Sequence, residues 1–214
     1  MPALALLSGG LDSTVACALY QADEGVLAKG LFVDYGQRAA IPEERAARAV
    51  AESFGMEFER AELPVLARIT RTALVDTQNP VPEPDLVTLD ETAPSTADAV
   101  WVPNRNGLLL NLAAALAEAE GLEHLIVGFN AEEAATFPDN SAEFVHAVNL
   151  ALQASTRGMV SVIAPTLHMQ KREMVAAGRA LEAPLEVTWS CYQGGEIPCG
   201  RCESCLRRQR AESA

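Results

Sequence analysis

The sequence predicts an α/β protein: a doubly wound, mostly parallel sheet with a four-cysteine zinc-binding appendage at the C-terminal end. Three observations predict it. Short apolar runs at 3–7, 26–33, 124–128 and 160–163 alternate with amphipathic stretches of helical period. Such alternation favours parallel strands joined by helical crossovers. Hydrophobic residues make up 49% of 214 residues, enough for a sizeable core in one large domain. Finally, four of the five cysteines lie between Cys191 and Cys205.

Ala3–Leu7 reads as a buried strand, and Thr14–Tyr20 as the first turns of a helix. Val26–Val33 is a second strand. Pro42-Glu43-Glu44 opens a helix, with proline suited to the first turn and acids complementing the dipole. Gly55 stops it, and Glu57–Ala61 is a third strand. From Asp76 to Ala99 the pattern breaks. Pro80, Pro82, Pro84 and Pro94 sit among polar residues, so the stretch reads as a long loop, either a lid or disordered. An apolar helix then spans about 108–120, with Asn106 as its N-cap and Gly121 as its stop. A strand at 124–128, a helix at 142–154, a strand at 160–163 and a helix carrying Lys171, Met174 and Val175 complete the pattern. This gives an α/β domain over 1–186 and a cysteine segment over 187–214.

Between the first strand and helix lies Ser8-Gly9-Gly10-Leu11-Asp12-Ser13. A Gly pair lets the backbone turn sharply and a ligand approach closely. The helix start offers unpaired N–H groups and the positive end of its dipole. These features suit phosphate. The bland alternative is an ordinary turn capped by Ser8 or Asp12. Asp12 would repel phosphate unless Mg2+ bridged the two. There is no Gly-Lys-Ser/Thr ending, so this is not a Walker A loop.

With 29 acids against 16 Lys and Arg, formal net charge is −13. That disfavours nonspecific nucleic-acid binding and points to a small-molecule substrate. No apolar run approaches membrane-span length. No basic n-region precedes the first strand, so the cytoplasm is the expected location. In that setting Cys191, Cys199, Cys202 and Cys205 read as a closed Zn2+ site rather than disulfides. An iron–sulfur cluster and unligated thiols are the alternatives. Cys17 reads as a small core residue. Arg201, Arg207, Arg208 and Arg210 read as a solvated helix or a dimer contact.

Taken together, Ser8–Ser13, Asp34–Arg38, Val102-Pro103-x-Arg105-Asn106, Gly128-x-Asn130-Ala131, Pro138-Asp139, Lys171 and Thr188–Glu196 with the cysteines carry a resemblance. The chain resembles the 7-cyano-7-deazaguanine synthase family of the PP-loop ATP pyrophosphatase superfamily. The resemblance implies an adenine nucleotide hydrolase-like fold. It also implies an ATP-dependent carbon–nitrogen ligase that adenylates 7-carboxy-7-deazaguanine. Ammonia then gives an amide, and a second activation gives the nitrile. ATP would be held by Ser8, Gly9, Gly10, Leu11, Asp12 and Ser13, with Asp12 acting through Mg2+. Asp12, Lys171 and Arg105 are the implied catalytic residues. Gln37, Arg38, Asn106, Asn130 and Asp139 are the implied substrate contacts. Four of them have a plainer reading: a solvated lysine for Lys171, a loop hydrogen bond for Gln37 or Arg105, and a helix N-cap for Asp139. A homodimer is also implied.

The departures from the family pattern are Ala39, Pro42, Asn104, Ala134, Ala135, Asn140 and Ser141. They fall in the stretches expected to meet the substrate. They leave open a related enzyme that activates another carboxylate or stops at the amide. A tRNA-directed activity is disfavoured by the acidic balance and by the lack of a spare cysteine near the loop.

Overall fold

The computed structural model describes residues 1–213, apart from the side chains of 92–95; Ala214, the last residue of the 187–214 segment, lies outside the described residues. The elements run β1 Pro2–Leu6, α1 Leu11–Ala22, β2 Val26–Asp34, α2 Ala40–Ser53, β3 Glu57–Glu62 and α3 Val65–Ile69. There follow α4 Leu89–Val100, α5 Arg105–Glu120, β4 His124–Ile126, α6 Ala131–Ala134, α7 Ala142–Ser155, β5 Ser161–Ile163, α8 Lys171–Ala180 and α9 Glu203–Glu212. The five strands pair in the order β3-β2-β1-β4-β5, all parallel. The chain therefore begins mid-sheet, winds outward to β3, then crosses back to β4 on the other side of β1. The strand order reverses between β1 and β4. In open α/β sheets the crevice beyond the strand ends at such a point is where ligands bind.

Both faces of the sheet are covered, so its central strands are apolar on both sides. Leu4, Leu31 and Val33 face α5 and α7, packing against Leu110, Ala113, Ala117 and Leu152. Ala3, Ala5 and Phe32 face α1 and α2, against Ala16, Cys17, Ala47 and Val50. Cys17 is a core residue, and burial pushes its thiol up to about 12. Lys29 is an exception in the strand interior. It is buried, and its charge is met by Glu59 of β3 at 2.8 Å and Glu120 of α5 at 2.5 Å.

Two local expectations are corrected. The stretch read as a loop from 76 to 99 contains α4. Its ends are anchored by Leu89 and Val100, both buried. Asp90 pairs with Arg210 at 2.7 Å and with Arg207 at 3.3 Å, and Thr96 donates to Glu203 at 2.8 Å. These tertiary contacts override the local helix-breaking signals. The N-cap of α5 is Asn104, not Asn106. Asn104 sits in the left-handed region at φ 50°, while Asn106 is inside the first turn and buried. Asparagine tolerates that conformation better than most side chains. Asn104, a departure from the family pattern, is therefore a residue type that tolerates this turn.

The arginines near the end of the chain are used within the molecule. Arg201 pairs with Glu83, Arg207 with Glu203, and Arg208 with Glu212 while donating to the Thr188 carbonyl. Arg207 and Arg210 also reach Glu132. They bind α9 to α4 and α6 instead of forming a free basic face.

Candidate active site and metal centre

A cleft with a cavity volume of about 240 Å³ opens at the reversal of strand order. Its floor is the loop between β1 and α1. Gly9 has φ +74°, and an added Cβ would lie 2.4 Å from the Glu43 carbonyl oxygen. Only glycine lets the loop pack on the first turn of α2. Gly10 caps α1 with no side-chain bond to the helix N–H groups, so neither Ser8 nor Asp12 is a cap. Ser8 Oγ and Ser13 Oγ lie 3.2 Å apart, and the Gly10 N–H donates to Ser8 Oγ. Gly128, at the end of β4, lies against this turn. A Cβ there would fall 2.4 Å from the Ser13 nitrogen.

Asp12 projects from the first turn of α1 to Lys171 at the start of α8. Lys171 Nζ donates to Asp12 Oδ2 at 2.6 Å and to Glu133 Oε1 at 2.9 Å. Asn130 Nδ2 donates to Asp12 Oδ2 at 3.1 Å, and Asn130 Oδ1 caps α6 by accepting the Glu133 N–H. Lys171 is thus a buried cation held by two carboxylates, not a solvated lysine. Burial raises Asp12 to about 6, with Lys171 opposing and Glu133 adding to the rise. Burial also disfavours the Glu133 charge, but Lys171 outweighs it and holds that carboxyl low. The two acids titrate as a pair around one lysine. Asp12 Oδ1 is buried and has no hydrogen-bond partner among the described residues.

Arg105 enters the cleft from the first turn of α5. Its Nη1 donates to the Tyr35 hydroxyl at 3.4 Å and its Nε to Asn106 Oδ1 at 3.3 Å. It forms no ion pair among the described residues. Asn106 in turn donates to the Asp139 carbonyl at 3.1 Å. Arg105, Glu133, Asn140 and Tyr192 also line a side chamber of about 40 Å³, with Asp139 and the stacked rings of Trp101 and Phe137.

The structure brings most of the expected residues together and sorts the rest. Ser8, Gly10, Leu11, Asp12, Ser13, Gln37, Arg105, Asn106 and Lys171 line the cleft. Gly9 supports the loop from behind. Asn130 is buried behind Asp12 and positions it. Asp139 belongs to the side chamber, and the cap of α7 is Ser141 rather than Asp139. Arg38 is not part of the cleft lining. Its guanidinium donates to the carbonyls of Asp76 and Asn79 and to Gln193, tying the seventies segment to the C-terminal one. Of the departures from the family pattern, Ala39 and Asn140 line the cleft, whereas Pro42, Asn104, Ala134, Ala135 and Ser141 do not.

Sequence reasoning missed Glu43, Glu133, Tyr35 and Tyr192 as cleft residues. A signal existed for Glu133: Asn130-x-x-Glu133 has the spacing of a helix start whose third residue faces back toward the cap.

The four cysteine sulfurs lie within 4.8 Å of one another. Tetrahedral zinc at its usual Zn–S distance needs sulfurs about 3.8 Å apart, so the cluster fits such an ion with modest adjustment. The N–H groups of Gln193 and Cys199 point at Cys191 Sγ, and that of Cys202 at Cys199 Sγ. These donors suit thiolates. Gly200 makes the turn between ligands at φ +73°. The centre adjoins the cleft. The Trp189 N–H donates to the Gly9 carbonyl at 2.8 Å, and its indole N–H donates to the Cys191 carbonyl at 2.8 Å.

The site thus combines a Gly-rich loop at a sheet reversal with a four-cysteine centre beside it, on a five-stranded parallel α/β fold. Comparison with known proteins agrees. Residues 2–213 match the family described as Queuosine biosynthesis protein QueC, and the chain belongs to that family. It is 48% identical over 216 residues to the 7-cyano-7-deazaguanine synthase of Methanosarcina mazei, covering 99% of this chain and 93% of the relative. A synthase of the same name from Pelotomaculum thermopropionicum is also 48% identical, with 99% and 96% covered. One from Desulforamulus reducens is 47% identical, with 99% and 93% covered. Among solved structures, the U34-tRNA thiolase NcsA from Methanococcus maripaludis superposes with a TM-score of 0.54 at 15% identity. That superposition covers all of this chain and 65% of the thiolase, and it shows likeness of fold alone. The chain is therefore an enzyme of queuosine biosynthesis. No helix among the described residues is long and apolar enough to cross a membrane.

Proposed function

We propose that this enzyme makes 7-cyano-7-deazaguanine from 7-carboxy-7-deazaguanine, with ATP activating the carboxylate and ammonia supplying the nitrogen. The observation that carries the reading is the convergence of the anion loop, Lys171 and the unpaired Arg105 on one cleft. A carboxylate is a poor electrophile because its oxygens do not leave. Transfer of an adenylyl group to one oxygen, with release of pyrophosphate, makes a leaving group. Ammonia attacks the carbonyl carbon, AMP departs, and a proton is lost to give the amide. The amide oxygen then takes a second adenylyl group, releasing pyrophosphate and one of the two N–H protons. Loss of AMP with the remaining N–H proton leaves the nitrile.

In this reading the protein mainly positions reactants and balances charge. The Ser8–Ser13 backbone and hydroxyls hold the pyrophosphate, aided by the α1 dipole. Lys171 neutralises Asp12 and presents a cation to the phosphates. Arg105 offers its guanidinium fork to the substrate carboxylate. Asp12 Oδ1 is an orphaned, buried carboxylate oxygen, which fits a hard cation such as Mg2+. When bound there, Mg2+ supplies charge neutralisation on the phosphates. The four-thiolate donor set leaves zinc no open position, so its contribution is structural.

The test is incubation of purified protein with ATP, Mg2+, ammonium and 7-carboxy-7-deazaguanine, followed by mass spectrometry. A nitrile with release of AMP and pyrophosphate is the expected result. An amide that accumulates, or no turnover by zinc-loaded protein, overturns the assignment.

A further inference from the structure

Two charged groups of opposite sign face the cleft with hydrogen-bonding capacity that the protein leaves unused. One is Arg105, whose Nη2 has no partner among the described residues and is not among the buried, unpartnered atoms. The other is Glu43, in the first turn of α2. Gln37 Nε2 donates to Glu43 Oε2 at 3.1 Å. No described residue bonds Glu43 Oε1, and that atom is also absent from the buried, unpartnered set, so it is reachable from the cleft that Glu43 lines. Gln37 has no spare donor for a ligand, because its Nε2 protons go to Glu43 and the Val33 carbonyl. Its Oε1 accepts the Tyr35 N–H at 2.8 Å, and its Nε2 also donates to the Val33 carbonyl at 3.3 Å. Gln37 orients Glu43, and Glu43 carries the free acceptor.

Arg105 and Glu43 form no ion pair with each other, yet each lies within the other's electrostatic reach. A ligand that spans them needs an anionic group at one end and N–H donors at the other. A deazaguanine acid has both: a carboxylate on the five-membered ring, and adjacent N1–H and 2-amino donors on the six-membered ring. The adenine of ATP fits worse. It carries no carboxylate, and its amino group adjoins an acceptor nitrogen that would face the Glu43 oxygen.

We infer that Glu43 is a specificity-determining residue whose free oxygen accepts the N–H edge of the deazaguanine base while Arg105 meets its carboxylate. The inference rests on the substrate class proposed above. Burial raises the Glu43 carboxyl to about 7, opposed by Gln37 and Arg105 and reinforced by Asp34. N–H donors favour the ionised form. Binding of the base therefore strengthens as pH rises through about 7, and this dependence disappears in Glu43→Gln.

The experiment measures binding of 7-cyano-7-deazaguanine by calorimetry, together with KM for the carboxylate substrate and for ATP, in wild type and Glu43→Gln. Zinc content and melting temperature check that the variant is folded. Loss of a charge-assisted bond weakens binding of the base by about ten- to hundredfold. KM for ATP stays unchanged. An analogue lacking the 2-amino group binds wild type more weakly but binds the variant no worse than the full base, because the two deletions remove the same contact. If Glu43→Gln fails to fold, the analogue and the pH profile on wild type carry the test. Unchanged base affinity in the variant overturns the inference. So does a rise in KM for ATP alone, or a fall in kcat with both KM values unchanged. A wild type that binds the base but makes no nitrile removes the proposed reaction and leaves Glu43 recognition standing. A wild type that binds no deazaguanine overturns the inference.

Discussion

Replacing Lys171 with Met removes the cation that two buried carboxylates share. Met is similar in length and apolar, so the packing change is small. What remains is Asp12 and Glu133 facing each other without the Nζ that lies 2.6 and 2.9 Å from them. Breaking a buried pair in this way costs about 3–5 kcal/mol. For a chain of this size that lowers Tm by roughly 6–20 °C. The penalty has a pH signature. Asp12 already sits near 6 with Lys171 present. Without it Asp12 rises further and Glu133, which Lys171 holds low, rises too, both above their unfolded values. A carboxyl whose folded pKa is raised gives stability that is fully present below its unfolded pKa. That stability is lost as pH rises through the folded value. The stability difference between wild type and Lys171→Met therefore grows from pH 5.5 to pH 8.5. Denaturant unfolding at several pH values, analysed as that difference, measures it. A penalty that is the same at both ends of the range would refute the charge-sharing account. Release of AMP should fall at least about a hundredfold, by analogy with removal of one preorganised cation or donor at a reacting phosphate.

The other predictions concern single contacts. Arg105→Lys exchanges a fork for a point charge. KM for the carboxylate substrate should rise about tenfold or more, while zinc content and ATP binding hold; a parallel loss of ATP binding would move Arg105 to the phosphate end. Asn104→Gly should be neutral within a few tenths of a kcal/mol, and Asn104→Val should cost about 1–2 kcal/mol, because φ is 50° there. Equal stabilities in denaturant melts would show that the αL cap is not what residue 104 supplies. Cys199→Ser should lose zinc and with it the cleft wall formed by Trp189, Ser190 and Tyr192. A zinc-free, fully active variant would separate the centre from the site.

The parts legible in the sequence were those written in local pattern. Apolar runs gave the strands, and the Gly pair after β1 marked the loop that floors the cleft. The cysteine spacing marked a centre whose sulfurs do converge. What was not legible depended on partners distant in sequence. α4 is held by Asp90 against Arg207 and Arg210, which no local window contains. Those arginines looked free for the same reason. Glu43 and Glu133 each sit in the first turn of a helix, where an acid looks like a solvated complement to the dipole. Their cleft-facing position follows from where α2 and α6 dock. For Gln37 the resemblance implied a substrate contact, and the plainer reading was a loop hydrogen bond. The fold occupies its amide with Tyr35, Val33 and Glu43.

The charge balance of the cleft accounts for how a chain of formal net charge −13 would serve the two anionic ligands of the proposed reaction. Its average field repels both ATP and a carboxylate, so attraction must be local. Lys171 does not supply it alone, since Asp12 and Glu133 together outweigh its charge. The loop N–H groups and the α1 dipole contribute without carrying any net charge. Among the described residues Arg105 is the cleft cation that forms no ion pair with a carboxylate, and it stands on α5, across the cleft from the loop's own helix. Under the proposed function the arrangement separates two anion sites: a dipolar one at Ser8–Ser13, which a cation on Asp12 Oδ1 would complete, and a guanidinium one at Arg105. An enzyme that joins a carboxylate to a nucleotide phosphorus needs both, held apart until the attacking oxygen is in line. A single merged basic patch would instead draw the two anions to the same place.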